Sequence, residues 1–183
     1  MYYILEQDMS NVIVGGIDEE ETGFGLKYIR GAKLSEEERP RNLKIEIEVP
    51  VGTYPDFFEF GHTPIANQLF IDTLIDAGVS NFDSYQAPIF DPERKIEGYS
   101  IINFIGCVDC IDYDRSEYKE YKGQISRINN LSIDLTKTHD LKVFRPRNFE
   151  LLLLVNADVY MSLKNLNGLV LSEAEGWNDR HLF

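Results

Sequence analysis

A seven-residue run near the middle of the chain, residues 99–105, has the sequence YSIINFI. Its apolar side chains fall on both faces of an extended backbone, a pattern typical of a strand covered on both sides of its sheet. We therefore expect a central strand that begins at Tyr99 and runs toward Ile111.

Shorter strands are predicted on both sides of this run. Apolar and charged or polar residues alternate over 43–49 and again over 125–135, as they do in strands with one buried face. Residues 81–89 and 141–144 have the composition of strands, and residues 169–171 follow a turn as an edge strand. Such alternation is typical of antiparallel pairing, so the sheet is expected to be largely antiparallel.

Two segments have the apolar spacing of amphipathic helices. The first runs over 65–78, with Pro64 before it and Gly78 at the position of a C-terminal cap. The second runs over 156–166 and stops before Gly168. The strands and helices together predict an α+β fold with a largely antiparallel sheet and two principal helices.

The two predicted helices resemble each other at their ends. Each is associated with an asparagine, Asn67 or Asn156, and each ends near a glycine that precedes a short strand. The shared residues are too few to predict a repeat, because any two capped helices look alike in this way.

The size of the chain predicts one domain over 1–183, since 183 residues with 43% hydrophobic content can bury one sizeable core. Residues 1–60 form an acidic N-terminal part in which short β-type runs alternate with glycine turns. Its opening segment, with β-type runs at 2–5 and 11–14 and glycines up to Gly25, is expected to be irregular and poor in strands.

The charge of the chain is strongly negative. Lys and Arg number 18 against 31 Asp and Glu, which gives a formal net charge of -13. Such a chain repels phosphate backbones and anionic membrane surfaces, so nucleic acid and membranes are not expected as partners. A basic protein would be attracted, although an acidic surface also favours solubility by itself.

The location of the protein follows from three features of the sequence. No stretch approaches the ~18 apolar residues of a membrane span. Residues 1–8 have no basic region of the kind that begins an export signal, and the chain has only two cysteines. We expect a cytoplasmic protein without a disulfide scaffold.

Cys107 and Cys110 have the spacing of a redox dithiol or of half a zinc site. They lie within a predicted strand, where residues three apart point to opposite faces, and no second pair of ligands follows at a suitable spacing. We interpret them as ordinary buried thiols.

Acidic residues supply the remaining candidates for chemistry. Asp109, Asp112 and Asp114 are close enough in sequence to act as acid and base or to bind a divalent cation, but they do not match an EF-hand loop. The histidines lie in three distant segments, at His62, His139 and His181. Because no nucleophile, phosphate-binding or zinc-protease motif occurs, no catalytic residue, metal site or cofactor is predicted.

Residues 98–112, GYSIINFIGCVDCID, and the following Ser116-Glu117-Tyr118 carry a family resemblance. They resemble the hydrophobic strand and VDxxD pattern of the eleventh class of bacterial polymorphic-toxin immunity proteins, formerly a domain of unknown function. The resemblance covers about 64–176, including the helix and strand before the motif and the closing helix and short strand after it. The thiols of Cys107 and Cys110 depart from the family pattern. The family-like part of the domain is residues 61–176, and the resemblance does not place residues 1–60.

This resemblance implies a cytoplasmic protein that binds and neutralises a cognate toxin by occlusion and that catalyses nothing. The charge favours a basic toxin domain as the partner. Trp177 lies among carboxylates, and tryptophans and acidic residues at an interface suit a basic partner; the alternative is that Trp177 folds back onto the core. The predicted toxin-binding residues are Glu19, Glu20, Glu21, Glu173, Glu175 and Trp177.

Two other functions remain open at this point. One is a small metal-dependent hydrolase built on Asp109, Asp112 and Asp114. The other is a self-associating regulatory or structural module. The sequence does not fix the oligomeric state or the identity of the toxin.

Overall fold

The computed structural model describes residues 1–10, 12–18 and 26–179. Within these ranges the chain forms fifteen strands and two α-helices. The strands are β1 (Tyr2–Gln7), β2 (Gly15–Asp18), β3 (Lys44–Ile47), β4 (Phe57–Phe60), β5 (Thr63–Asn67), β6 (Phe82–Gln86), β7 (Ile89–Phe90), β8 (Lys95–Ile96), β9 (Tyr99–Phe104), β10 (Cys107–Val108), β11 (Glu117–Tyr121), β12 (Gln124–Asn130), β13 (Val143–Pro146), β14 (Leu154–Asn156) and β15 (Leu169–Glu173). The helices are α1 (Gln68–Asp76) and α2 (Ala157–Leu163).

The strand predicted to be central lies in the middle of a four-stranded antiparallel sheet. The strand order is β4-β5-β9-β6, so β9 pairs with β5 on one side and with β6 on the other. All six residues of β9 are buried, as expected for a strand covered on both faces. The prediction of a central strand is confirmed for residues 99–104. It does not continue to Ile111, because Ile105 and Gly106 lie outside a strand and β10 belongs to a different sheet.

A second sheet has the strand order β10-β13-β14-β1-β15. In it β1 pairs antiparallel with both β14 and β15, and the side chains of Ile4 and Leu5 are buried. The expectation that the opening segment is poor in strands is therefore wrong at β1, where the β-type run at 2–5 forms a paired strand. The pairing itself could not be predicted locally, because the partner strands lie at the far end of the chain.

The two sheets repeat the same unit. In each, a hairpin, a helix and a further strand surround a central antiparallel strand: β4, β5, α1 and β6 around β9, and β13, β14, α2 and β15 around β1. The corresponding Cα pairs are Ile65–Ile101 and Leu154–Ile4 on one side of the central strand, and Tyr85–Ile101 and Ser172–Ile4 on the other. The register is therefore the same in both units. The order along the chain differs, because β9 follows the other strands of its unit whereas β1 precedes those of its own.

The helix ends of the two units also match. The side chain of Asn67 accepts a hydrogen bond from the Phe70 N–H at 3.0 Å, and that of Asn156 accepts one from the Val159 N–H at 3.0 Å. Both are N-cap interactions, which satisfy N–H groups that the first helical turn leaves free. The similarity of the two helix ends was too weak in sequence to predict a repeat, but the structure shows that it is part of a repeated fold.

The first helix is shorter than predicted. The helix was expected from Ile65, but residues 65–67 belong to β5, which pairs with β4 and β9, so α1 begins at Gln68. Gly78 follows the helix with φ of +75°, as predicted for a residue after the last turn. Within the described residues α1 has nine residues and α2 has seven, and neither is long or apolar enough to cross a membrane.

The helices contact each other and pack with the two sheets around a shared core. One cluster contains Phe70 and Leu74 of α1, Val159 and Leu163 of α2, and buried side chains from both sheets. Two small sheets, β2-β3-β7-β8 and the hairpin β11-β12, complete the set formed by the described ranges. The predicted α+β class with mostly antiparallel strands and two helices is confirmed, with the strands divided among several sheets.

Candidate functional site

A cleft of about 850 Å³ runs along the face of β1 and β15. It is bordered by the turn between β4 and β5 and by the segments around Leu151 and Trp177. We call it the acidic cleft and define it by Glu6, Glu59, Leu151, Val170, Glu173 and Trp177. Its volume is in the range of ligand pockets.

Exposed apolar side chains surround the mouth of the acidic cleft. Met9 is 65% exposed, Val12 60%, Val170 43% and Leu151 38%. All of them line the cleft. Apolar side chains gathered on one exposed surface, with polar groups around them, are typical of a binding surface.

The charged side chains of the cleft are predominantly acidic. Among the described lining residues, the carboxyls belong to Glu6, Glu59, Glu173 and Glu175. His62 is the basic side chain in this set, and burial, followed by the nearby Arg145 charge, lowers its pKa below 6.5. At neutral pH His62 is therefore mostly uncharged, and the cleft presents a negative surface.

Glu59 lies half-buried in the cleft wall, and its carboxyl has a raised pKa. Burial raises its pKa to about 7; the Arg145 charge opposes this shift, and the Glu6 charge adds to it. The Glu59 N–H donates to Oε1 of Gln7 at 3.1 Å, which links β4 to β1. Glu59 therefore changes its charge near neutral pH, inside a cleft that other carboxyls already make negative.

Arg145 lies behind the cleft and is fully buried. Its Nη1 donates to the carbonyl oxygens of Glu150, Leu151 and Leu152 at 2.8, 3.3 and 3.4 Å, which holds this wall of the cleft in place. Burial lowers its pKa to about 10, so the guanidinium remains charged at neutral pH. Within the described residues its Nε and Nη2 have no hydrogen-bond partner.

The predicted toxin-binding residues have different positions. Glu173 and Glu175 both line the acidic cleft, and Glu175 also accepts from Arg115 Nη2 at 2.6 Å and from Ser132 Oγ at 3.1 Å. Trp177 also lines the cleft, but it is only 7% exposed and belongs to a core cluster, so most of its side chain folds back onto the core. The predicted residues Glu19, Glu20 and Glu21 lie outside the described residues.

A second cleft of about 580 Å³ lies on the other side of the Glu173–Glu175 segment. It is lined by Met1, Leu135 and Asp134 among others, and it shares Glu173 and Glu175 with the acidic cleft. Glu173 and Glu175 therefore line both clefts, each of which also has apolar side chains in its lining.

Of the three aspartates that suggested a metal-dependent hydrolase, Asp109 and Asp112 accept hydrogen bonds from nearby residues of the chain. Asp112 Oδ1 accepts from the N–H groups of Asp114 and Arg115, both at 3.2 Å. Asp109 Oδ1 accepts from the Tyr113 hydroxyl at 3.2 Å. In the part of the chain that the structure describes, no group of three His, Cys, Asp or Glu side chains is arranged to hold a metal ion.

The cysteines are both free thiols. Cys110 is fully buried, and this burial raises the pKa of its thiol to about 12. Cys107 is half-buried, with Sγ at 3.9 Å from Oε1 of Glu150. The interpretation as a buried thiol fits Cys110 fully and Cys107 only in part.

Sequence reasoning missed the side chains that form the wall and mouth of the cleft. Glu59 and Arg145 each stand as a single charge in an apolar strand, in FFEF and VFRP, and that position was the available signal. Met9, Val12, Leu151 and Val170 come from separate segments, so no local pattern connects them.

No family model matches the chain, and no curated protein matches it at significant similarity. The fold and the cleft by themselves define an α+β protein that contains two like units and an acidic cleft lined in part by apolar side chains.

Proposed function

We propose that this protein is a cytoplasmic immunity protein that binds a cognate toxin of a bacterial polymorphic-toxin system and blocks it by occlusion. The observation that supports the proposal best is the acidic cleft, where exposed apolar side chains and carboxyls share one surface. The resemblance of residues 98–112 to the eleventh immunity class points in the same direction.

The cleft has the two components that such a surface needs. Met9, Val12, Leu151 and Val170 offer apolar area, which gives affinity when a partner removes it from water. Glu6, Glu173 and the net charge of -13 attract a basic domain and raise its association rate. Binding by occlusion requires no reactive group, so the proposal assigns the protein no catalytic role.

The proposal predicts that a large secreted protein with a variable C-terminal domain is encoded directly upstream of this chain, and co-expression with that domain is the test. The chain is expected to restore growth of cells that express this domain and to form a stable complex with it. A wild-type chain that neither restores growth nor forms the complex would overturn the proposal.

Charge-reversed variants show whether the acidic cleft is the contact surface. Glu173→Lys is expected to slow association about tenfold at low salt, and added salt should remove the difference. Glu93→Lys is the matched control, because Glu93 is exposed and lies outside both clefts. Equal association rates for the two variants would exclude the acidic cleft.

A further inference from the structure

The outer side of β15 has no strand beside it within the described residues, because β15 is the last strand of its sheet. The Ala174 N–H donates to the Tyr2 carbonyl at 3.1 Å, and the Asp8 N–H donates to the Gly168 carbonyl at 2.9 Å. Because bonded and non-bonded pairs alternate along an antiparallel ladder, the N–H and C=O groups of 169, 171 and 173 point away from β1. These groups form an open template for another strand.

The edge strand of the first unit, β6, has a charged side chain at a position where β15 has an aliphatic one. The register places Asp83 opposite Asn103 in β6 and Val170 opposite Glu6 in β15, and the two edge positions correspond in the repeat. A charged side chain on an edge strand opposes pairing with another chain, whereas an exposed aliphatic one permits it. Val170 is 43% exposed, so β15 lacks at this position the charge that β6 carries.

The open edge lies next to the acidic cleft. Val170 and Ser172 face Glu6 and Ile4 across the ladder, and the side chains of Val170, Ser172 and Glu6 line the cleft. In a strand added to β15, alternate side chains would project on the same face as Val170 and Ser172. Apolar side chains at those positions would enter the cleft, and a basic residue would lie beside Glu173.

We infer that the toxin contributes an extended basic segment that adds to β15 as a new strand. This inference rests on the proposed function and names the binding mode within it, a main-chain pairing with alternate side chains held in the cleft. A second copy of this chain is a poorer occupant, because each copy has a net charge of -13 and brings its own Glu173 to the edge.

The test uses the full chain and a fluorescent peptide of alternating L-lysine and L-valine. Its control is the diastereomer of L-lysine and D-valine, which has the same charge and composition but cannot form a regular strand. Glu173→Pro removes an outward N–H that the β1 ladder does not use, and edge strands tolerate proline there. Glu173→Ala is the matched variant, since it removes the same carboxylate and keeps the N–H.

The L peptide is expected to bind both the wild-type chain and Glu173→Ala. It should bind Glu173→Pro about tenfold more weakly than Glu173→Ala, which is the value of one lost hydrogen bond. Val170→Asp, which copies Asp83 of the first unit, should weaken binding similarly. On binding, the amide protons of Leu171 and Glu173 should exchange more slowly. The melting temperature of each variant shows whether it is folded.

Three results would overturn strand addition: equal affinity of Glu173→Pro and Glu173→Ala, equal binding of the two diastereomers, or no binding of the L peptide to the wild-type chain. A wild-type dimer that Glu173→Pro dissociates would also overturn it and assign the edge to a second copy. Growth restoration by co-expression tests the immunity function separately. A result that contradicts strand addition therefore does not contradict the immunity function.

Discussion

Glu59 and Arg145 occupy equivalent positions in the two units and carry opposite charges. Glu59 follows Phe58, which pairs with Ile65, and Arg145 follows Phe144, which pairs with Leu154. The Arg145 charge opposes the rise in the Glu59 pKa, and the Glu59 charge opposes the fall in the Arg145 pKa. The repeat has therefore placed a complementary pair beside the acidic cleft.

The pH dependence of stability should carry the signature of Glu59. Below pH 4.5 the Glu59 carboxyl is protonated in both the folded and the unfolded chain. Above pH 4.5 it ionises in the unfolded chain, whereas in the folded chain it keeps its proton until about pH 7. The free energy of unfolding should therefore fall between these values, by at most about 3 kcal/mol, since one pKa unit corresponds to about 1.36 kcal/mol. Urea denaturation across this range should show the decrease in the wild type and a smaller one in Glu59→Gln. An unchanged decrease in Glu59→Gln would contradict the assignment.

Replacing Arg145 by methionine should extend the upper end of that decrease to higher pH, because the Glu59 carboxylate loses the positive charge that opposes the rise in its pKa. The variant should also be less stable by about 3 kcal/mol at neutral pH, since the carbonyl oxygens of 150–152 lose their donor. The double variant Glu59→Gln/Arg145→Met serves as the control and should lack the extended decrease. A pH profile identical to the wild type in Arg145→Met would refute the coupling.

The two N-caps should differ in their contribution to stability. Asn156→Ala should cost about 1 kcal/mol, the usual value of such a cap. Asn67→Ala should cost more, because Nδ2 of Asn67 also donates to Oδ1 of Asp56 at 2.7 Å. Chemical denaturation of both variants measures the difference, and a larger loss in Asn156→Ala would be the opposite of what the contacts predict.

The central strands of the two units should contribute comparably to stability. Ile4 and Ile101 are both fully buried and hold the same register position. Alanine at either site should cost about 2–5 kcal/mol, the range for buried isoleucine. The exposed Val14 provides a control, because Val14→Ala should change stability by less than about 0.5 kcal/mol. A small loss in Ile4→Ala would mean that β1 is dispensable to its sheet.

The parts of the fold that the sequence predicted are those decided by local pattern. The alternation over 43–49 predicted β3, and the continuous apolar run at 99–105 predicted β9. Both predictions were possible because burial on one or both faces of a strand determines the pattern of consecutive residues. The start of α1 was misplaced, since Thr63–Asn67 has apolar spacing that suits either structure and tertiary pairing selects the strand.

The candidate site was predictable only at one edge. Glu173 and Glu175 stood out because their acidic segment is continuous in sequence, and both line the cleft. The coupling of Glu59 with Arg145 was not predictable, because it depends on two strands that come together only through the repeat. Val170 gains its significance only by comparison with Asp83, which requires the register of both sheets.

The place of β1 between β14 and β15 has a consequence for synthesis on the ribosome. This strand leaves the exit tunnel before the rest of its sheet, and residues 143–173 must be translated before it can be enclosed. The unit around β9 has all of its strands much earlier and can form while β1 is still unpaired. Closure of the second unit joins distant parts of the chain, so it should be the slow step in maturation.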